Sequence, residues 1–474
     1  MLFNSIIFLA FFTVVYGLYR LLPHRGQNLM LLVASYVFYG SWNWRFLSLI
    51  LMSTLVDYFC GWAVHRHKRE RVRRSYLALS LITNLTLLGF FKYFNFFAES
   101  LQELAGLMGL RLDAFTLEVL LPVGISFYTF QTLSYSMDIY RGQLKPEKNF
   151  LDFALFVAFF PQLVAGPIER ARRLLPQIRN PRRITSADME TGLWFIFWGF
   201  FLKCFVADNL APLVNTTFNN ASTAEGAQVV VAAYAFAFQI FGDFAGYSSI
   251  AIGISKLMGI HLMTNFRYPY FVTSPRDFWR HWHISLSSWL RDYLYIPLGG
   301  SRGSNFMVYR NLSLTMLLGG LWHGASWTFV LWGAYQGTIL IVHRMVSRPR
   351  ESAPHSGGAL ASVRRAGHVF VMFQVTCLGW LIFRAESMTQ LGQLLGAVFT
   401  DLGPPSPMAI YQAAQLVFFT WLMLLVQILQ RSSLDDLGLL RARGAVLVPV
   451  MVAMFLSLLV WGAFGGQEFI YFQF

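Results

Sequence analysis

The chain has 474 residues, of which 56% are hydrophobic and only 13% charged, and its mean hydropathy is +0.50. Soluble domains carry about 25% charged residues, so this composition excludes an ordinary soluble protein. The formal net charge is +14. The basic residues lie in short loops between apolar segments, as in the cytoplasmic loops of membrane proteins, rather than on a surface that would bind nucleic acid. We therefore expect an all-α, polytopic helical membrane protein with no nucleic-acid partner.

The first membrane span is predicted over residues 5–22. Residues 29–39 are apolar but short, and an aromatic segment at 40–44 interrupts them; residues 46–64 are long enough to span again. The strongly basic segment 65–74 follows. A basic segment beside a short loop is expected to stay in the cytoplasm, and counting back from it places the N-terminus outside.

Residues 77–97 are predicted to cross outward, followed by an outer loop over 99–118 and a returning span over 120–140. Segment 150–167 is different, because it ends at prolines and has basic residues on both sides. A full crossing would place one basic flank outside, so we predict a re-entrant segment. Such irregular backbone is tolerated at membrane depth only where protein or a water-filled cavity covers it.

The next two spans are predicted over 189–210 and 229–258, with a polar outer loop over 215–228 between them. The second of these spans is predicted to be broken by glycines 242, 246 and 253. It carries Gln239 and Asp243 at membrane depth, and an ionisable group there is a candidate functional residue. The structural alternative for Asp243 is pairing with a neighbouring Arg or Trp.

Three further charged residues, Lys92, Glu169 and Lys203, lie near predicted membrane boundaries. Long side chains at such positions can extend their charged ends toward the interface, and we interpret all three in this way.

Segment 265–311 is only moderately apolar and rich in arginine, so we place it on the cytoplasmic side, partly re-entrant. A helix is predicted to begin after Ser274, because Ser274 is a favourable N-cap, Pro275 suits the first helical position and Asp277 completes a capping box. Trp279, Trp282, Leu286 and Trp289 then follow at helical spacing and form an apolar stripe.

Arg280, His283 and Ser287 form a separate polar stripe on the same predicted helix. A guanidinium beside His283 would favour the neutral imidazole, which can accept a proton. The structural alternative is an amphipathic helix at the membrane surface with its arginines toward lipid phosphates. His281 and His283 are two residues apart and point to nearly opposite faces of a helix, so we expect no metal site.

His323 lies alone in the most apolar part of the chain, near the bend of a hairpin predicted over 312–321 and 326–343. The glycines beside it leave space for another backbone or a substrate. The structural alternative is a histidine that is hydrogen-bonded inside a helical bundle. The remaining spans are predicted over 369–383, 414–429 and 446–461, with a flexible cytoplasmic loop at 344–365 and a tail over 465–474 that ends outside.

Low cysteine usage predicts no disulfide: Cys60, Cys204 and Cys377 lie in or beside apolar segments without pairing at metal or disulfide spacing. We found no internal repeat, which argues against a transporter built from inverted repeats.

Two histidine motifs give the chain a resemblance to the membrane-bound O-acyltransferases, and within them to the bacterial alginate O-acetyltransferase branch. They are the segment 278–300, which contains Trp282 and His283, and the segment 318–324, which contains Trp322 and His323. Supporting matches lie at 121–130, 160–168, 243–247 and 469–474. The resemblance covers the whole chain and implies one transmembrane domain over 1–474, a helical bundle with re-entrant segments around a tunnel.

The resemblance also implies an activity and its partners. Members of this branch take an acetyl group from cytoplasmic acetyl-CoA and pass it across the inner membrane, usually to an extracytoplasmic partner of the SGNH-hydrolase type that acetylates a glycan. It therefore implies a membrane O-acetyltransferase that acts with a polysaccharide secretion complex, needs no metal and modifies alginate, cellulose or another exopolysaccharide. Peptidoglycan or teichoic acid remains an alternative acceptor, and a non-enzymatic scaffold of the secretion complex remains an alternative function.

The resemblance identifies His323 and His283 as the catalytic residues. We predict that His323 is the base that deprotonates the acceptor hydroxyl, although a transient acetyl group on His323 itself is an open alternative. Donor binding and positioning are assigned to Arg280, Ser287, Trp282 and Trp322. Asp243 and Gln239 are possible supporting residues.

Overall fold

A computed structural model describes residues 1–110, 120–164, 166–347, 359–401, 403–431, 437–464 and 469–470. The regular elements of these residues are helices. The chain divides into two compact units, the first formed by Met1–Ile196 with Ser248–Met263 and the second by Phe197–Tyr247 with Thr264–Phe474.

Nine helices begin in the described part of the first unit. They are α1 (Ile6–Leu21), α2 (His24–Asn43), α3 (Leu47–Arg66), α4 (Glu70–Leu107), α5 (Ile125–Tyr140), α6 (Phe150–Ala158), α7 (Phe160–Leu163), α8 (Ala171–Arg179) and α9 (Ser186–Phe200). The prediction of an interruption at 40–44 was wrong in position, because α2 continues to Asn43 before a short 3-10 turn. The prediction of an outer loop from residue 99 was also wrong, because α4 continues to Leu107. Residues 111–118 of that loop lie outside the described part.

The break predicted in segment 150–167 is present between α6 and α7. The side-chain amides of Gln131 and Gln162 both donate to the carbonyl oxygen of Phe156, at 2.6 and 2.7 Å, where the helix is interrupted. Gly124 lies close to this segment with φ +75°, and a Cβ atom there would be 2.5 Å from the carbonyl oxygen of Leu163. Polar side chains therefore satisfy a carbonyl oxygen that the interruption leaves without its helical partner.

A buried polar network joins α3, α4 and α5. Asp57 accepts hydrogen bonds from Asn84 at 2.8 Å, from Ser136 at 3.0 Å and from Ser80. These residues come from three helices, and all are buried. Because each donor compensates for lost hydration of the carboxyl group, the network stabilises the packing of these three helices.

The second unit contains most of α11 and all the remaining described α-helices. They are α10 (Asp208–Asn219), α11 (Gly226–Leu257), α12 (Pro275–His281), α13 (Ile284–Leu290), α14 (Asn305–His323), α15 (Trp327–Val346), α16 (Ala359–Arg384), α17 (Met388–Thr400), α18 (Pro407–Arg431) and α19 (Gly444–Trp461). Two π-helical segments, Phe201–Ala207 and Arg291–Tyr295, continue α9 and α13. The polar loop between α10 and α11 is shorter than the predicted 215–228.

The prediction that glycines break the span over 229–258 was wrong, because α11 is continuous. In the second unit, a Cβ atom at Gly242 would lie 2.8 Å from the carbonyl oxygen of Leu202, and one at Gly246 would lie 2.8 Å from that of Gly199. These glycines thus allow the close approach of another backbone. The loss of helix propensity is offset by packing against the π-helical segment and the end of α9.

The hairpin of α14 and α15 confirms the prediction around His323. A Cβ atom at Gly333 would lie 2.5 Å from the carbonyl oxygen of Met316, and one at Gly320 would clash with that of Phe329. The glycines near His323 were expected to leave space for another backbone or for a substrate. Gly320 leaves space for another backbone. This contact fixes the angle at which α15 leaves the bend, and so positions the residues around His323.

Seven stretches of described helix are long and apolar enough to cross a membrane. They are His24–Arg66, Glu70–Leu107, Ser186–Asn219, Gly226–Leu257, Ala361–Arg384, Pro407–Arg431 and Gly444–Trp461. The first of these joins α2 and α3 through the 3-10 turn. The chain is thus an all-α, multi-pass membrane protein. Residues 348–358 of the predicted cytoplasmic loop, and all of the predicted tail 465–474 except 469–470, lie outside the described residues.

Candidate active site

His323 is the last residue of α14, and aromatic rings surround its side chain. Its ring centroid lies 5.0 Å from that of Trp322, 5.0 Å from that of Trp332 and 5.3 Å from that of Phe383, in nearly perpendicular arrangements. Only 4% of its surface is exposed. Because α14, α15 and α16 each supply a wall, the imidazole lies in an apolar environment from which bulk water is largely excluded.

His283 is fully buried in the same unit but reaches its position in a different way. Its backbone is left-handed, with φ +41° and ψ +55°, and the residue precedes α13. Asn265 holds this turn, because its carbonyl oxygen accepts from Ile284 N at 2.9 Å and its Oδ1 from Ser285 N at 3.2 Å. A non-glycine residue in this conformation costs about 1–3 kcal/mol and is typical of functional sites.

The structure corrects the predicted helix over this motif. Capping at Ser274 is confirmed, with Ser274 Oγ accepting from Asp277 N at 3.1 Å. However, α12 ends at His281 and Trp282 is extended, so no continuous helix carries both stripes. The left-handed turn at His283 directs its ring into the protein interior.

The predicted polar stripe is therefore wrong as a single face. The Arg280 side chain is 59% exposed and pairs with Asp277 at 3.3 Å, whereas His283 is buried. Ser287 Oγ donates to the carbonyl oxygen of Ile284 at 3.3 Å. The guanidinium thus does not supply the predicted effect on His283. Burial instead lowers the pKa of His283 to about 3, which gives the same neutral imidazole from a different cause.

Trp322 brings the two histidines into one site. Its ring centroid lies 5.9 Å from that of His283 and 5.0 Å from that of His323. Phe244 of α11 adds a further wall, with its centroid 4.6 Å from that of His283 in an edge arrangement. The two sequence motifs therefore converge on a single indole.

Trp282 belongs to the aromatic core beside this site. Its centroid lies 4.7 Å from that of Trp380 and 5.0 Å from that of Phe266, and the residue is almost fully buried. A buried indole can position neighbouring groups. The assignment of Trp282 to donor binding stays a prediction.

Asp243 is part of a buried ion network that the sequence did not predict. Lys203 Nζ lies 2.6 Å from Asp243 Oδ1 and 2.8 Å from Asp208 Oδ1, and all three side chains are at most 4% exposed. Asp243 Oδ2 also accepts from the backbone N of Ile470 at 2.6 Å. The interpretation of Lys203 as a boundary residue was wrong. Asp243 is paired, as its structural alternative expected, but the partner is Lys203 rather than the Arg or Trp that was predicted.

Phe469, the neighbour of Ile470, links the ion network to the rings that pack around His283. The ring centroid of Phe469 lies 4.7 Å from that of Tyr247 and 5.8 Å from that of Phe244, which itself packs against His283. Phe469 is fully buried. The ion network therefore anchors a segment near the C-terminus beside the site.

The remaining residues considered in the sequence do not contact either histidine in the contacts described above. Gln239 lies one turn before Asp243 on α11 and is partly exposed. Glu169, in the first unit, is fully buried rather than extended to an interface, and it accepts from Met263 N. Cys60, Cys204 and Cys377 are buried. No group of three His, Cys, Asp or Glu side chains able to hold a metal ion occurs within the described ranges.

The chain is similar to proteins of known family. The profile described as "MBOAT, membrane-bound O-acyltransferase family" matches residues 31–382. A protein of Azotobacter vinelandii named "Probable alginate O-acetylase AlgI" is 43% identical over 402 residues, which cover 84% of this chain and 78% of that protein.

More distant relatives have names that refer to other cell-envelope polymers. A "Peptidoglycan O-acetyltransferase" of Helicobacter pylori is 36% identical over 420 residues, covering 82% of this chain and 78% of that protein. A "Teichoic acid D-alanyltransferase" of Streptococcus thermophilus is 28% identical over 282 residues, covering 55% of this chain and 68% of that protein. The acyl acceptors in these names differ, while the transfer of an acyl group is common to all three.

Proposed function

Because the chain belongs to the membrane-bound O-acyltransferase family, we propose that it takes acetyl groups from cytoplasmic acetyl-CoA and passes them across the bacterial inner membrane for O-acetylation of an exopolysaccharide. The chain is a membrane-bound O-acyltransferase. The observation that carries the finer proposal is the buried, aromatic-walled His323 in a chain 43% identical to a protein named as an alginate O-acetylase.

The proposed chemistry uses His323 as a general base. The acceptor hydroxyl attacks the carbonyl carbon of the acetyl thioester, and its proton passes to the imidazole. The C–O bond forms, the C–S bond breaks, and the proton then reaches the leaving thiolate to give CoA–SH. General-base assistance contributes typically 10²–10⁴-fold to the rate, and the dry aromatic walls limit hydrolysis of the thioester.

His283 is assigned a supporting role in this reaction. Its buried, neutral imidazole shares the Trp322 indole with His323, which supports a role in holding the donor near the base. Ser287 lies one helical turn further on. Arg280 is exposed, so its cation remains available to the phosphates of acetyl-CoA, and its assignment to donor binding is kept as a proposal.

The acceptor side is proposed from the family branch. The N-terminus is assigned to the periplasmic side, and an SGNH-hydrolase-like partner of a polysaccharide secretion complex is assigned the final transfer to the glycan. A peptidoglycan acceptor is the second candidate. It is favoured by the 36% identity to the peptidoglycan enzyme over 82% of this chain.

The test measures ester-linked acetyl groups in two fractions of the same cells, the secreted glycan and the cell-wall muropeptides. We expect His323→Ala to abolish acetylation of the secreted glycan while the protein keeps its membrane level and its thermal unfolding midpoint. The matched control is His343→Ala, a histidine near the end of α15 that contacts Ser347 and should leave acetylation unchanged.

Other outcomes would redirect the proposal. Loss of acetyl groups from muropeptides alone would favour the peptidoglycan acceptor. Normal acetylation with His323→Ala, or with the near-isosteric His323→Gln, would overturn the catalytic assignment and favour a scaffold within the secretion complex.

A further inference from the structure

The indole of Trp332 has an unusual environment for a buried donor. Trp332 is 1% exposed, and its ring centroid lies 5.0 Å from that of His323. Among the residues that the structure describes, its Nε1 is buried and has no hydrogen-bond acceptor. Buried polar groups are almost always hydrogen-bonded, so an orphaned donor beside a candidate base requires an explanation.

A second donor of the same kind lies next to the first. The Nε1 atom of Trp279 is also buried without an acceptor in the described part of the chain, and its ring centroid lies 5.9 Å from that of Trp332. Trp279 belongs to α12 and Trp332 to α15. Two separate elements thus contribute an indole N–H to the cluster of rings that contains His323.

The backbone around His323 gives a reason for using side-chain donors. His323 ends α14, and the C-terminal end of a helix presents carbonyl oxygens and a partial negative charge. This end disfavours a developing anion. Acyl transfer, however, places negative charge on the carbonyl oxygen of the thioester, and donors aimed at that charge are usually a large part of catalysis.

We propose that the indole N–H of Trp332, assisted by that of Trp279, donates hydrogen bonds to the carbonyl oxygen of the acyl thioester as it becomes an oxyanion. This assignment rests on the proposed acyl transfer at His323. As the acceptor oxygen attacks, the carbonyl π electrons move to the oxygen held by the indoles. They return when the C–S bond breaks and the thiolate leaves, and no other reactant is needed.

The decisive variant keeps the ring and removes only the donor. Replacing Trp332 by 3-benzothienylalanine exchanges N–H for sulfur with nearly the same shape, and Trp332→Phe is the genetically simpler companion. We expect kcat for CoA release from acetyl-CoA, measured in membranes that contain the secretion complex and its glycan, to fall about 10²–10³-fold, the usual effect of removing one oxyanion donor. KM for acetyl-CoA should change little, because the charge develops only in the transition state.

Thermal unfolding separates this role from a structural one. Removing a buried donor that has no acceptor among the described residues should leave the unfolding midpoint unchanged or raise it. The matched control is Trp198→Phe, since Trp198 is a buried indole of the same unit that stacks on Phe201; it should retain its kcat.

Two results would overturn the inference: full kcat with the benzothienyl residue, or a loss of kcat accompanied by an equal loss of stability in both Trp332 variants. His323→Ala, measured in parallel, distinguishes the two proposals. If that variant is inactive and the benzothienyl variant fully active, the oxyanion assignment fails and the proposed function stands. If His323→Ala is active, the proposed function itself fails.

Discussion

Lys203 Nζ lies 2.6 Å from Oδ1 of Asp243, and both side chains are almost completely buried. Asp208 completes the network at 2.8 Å from the same ammonium group. The π-helical segment makes this possible, because the backbone N of Asp208 donates to the carbonyl oxygen of Lys203 five residues earlier. π-Helical turns are often found at functional sites, and here the turn supports the segment that packs beside His283.

Lys203→Met is expected to be the most damaging change in this network. It leaves two buried carboxylates without their cation, and breaking a buried ion pair costs about 3–5 kcal/mol. Asp243→Asn should cost less, because one carboxylate still balances Lys203 and the amide oxygen can still accept from Ile470 N. The measurement is the thermal unfolding midpoint of each variant in detergent.

An ion pair whose acidic partner is exposed provides the comparison for that experiment. Arg384 and Glu386 lie 3.1 Å apart, and the Glu386 side chain is 66% exposed, so Glu386→Gln should change stability by less than about 1 kcal/mol. If Lys203→Met had the same unfolding midpoint as Glu386→Gln, the buried ion network would not anchor the segment that contains Phe469 and Ile470.

Gly320→Ala is predicted to disrupt the hairpin that positions His323. A Cβ atom there would overlap the carbonyl oxygen of Phe329, which is backbone and cannot rotate away. The two helices must separate or shift, and we expect a loss of about 1–3 kcal/mol, as in other overpacked sites, together with reduced acyl transfer. Unfolding midpoints and acetylation of the glycan measure the two effects.

Gly337 of the same hairpin is the matched control. A Cβ atom there would meet its neighbours at 3.5 Å, an ordinary contact. Gly337→Ala should therefore be neutral or slightly stabilising, since alanine is the better helix former. Equal behaviour of the two variants would show that close backbone packing at Gly320 is not required.

The hairpin around His323 and the start of α12 could be predicted because their signals are local. Apolar runs give the spans, and Ser274 with Asp277 gives the start of α12. The break at Trp282 and His283 gave no such signal, since no glycine marks the left-handed residue. The turn is imposed by tertiary hydrogen bonds in which the backbone N–H groups of Ile284 and Ser285 donate to Asn265. Helical periodicity therefore placed Arg280 and His283 wrongly on one face.

The ion network escaped prediction for a related reason. Lys203 and Asp208 are five residues apart, and this spacing indicates a pair only once the backbone is known to be π-helical. The glycines of α11 were likewise interpreted as breaks, although they serve close packing. A sequence shows which residues are small or charged, but which surface each one meets depends on the packed structure.

Glu169 is expected to make stability fall as the pH rises. Burial is the largest influence and raises the pKa of Glu169 to about 7, against the opposing effect of Arg173 at 3.8 Å. The folded state then holds this proton more tightly than the unfolded state, so the contribution is complete below about pH 4.5 and is lost as the pH rises toward 7, with a slope of at most about 1.4 kcal/mol per pH unit. Unfolding midpoints between pH 4.5 and 8 test this.

Glu169→Gln is the comparison for this pH dependence. The amide cannot titrate but can still accept from Met263 N, so the midpoint of this variant should vary less over the same range. A parent protein and a Gln variant with parallel pH profiles would contradict the assignment.

His283 should give a pH dependence of the opposite sign. Burial lowers the pKa of His283 to about 3, below its ordinary value of about 6.5. The unfolded state then binds the proton more tightly, so the stability contribution is present above pH 6.5 and is lost as the pH falls toward 3. His283→Gln should weaken this loss between pH 6.5 and 4.5.

The same variant should lower the acyl-transfer rate without moving the acidic limb of the rate profile, because the neutral imidazole does not titrate there. A shift of that limb would show that His283 is itself protonated during the reaction, and that the ring is less dry than its contacts with Phe244 and Trp322 indicate.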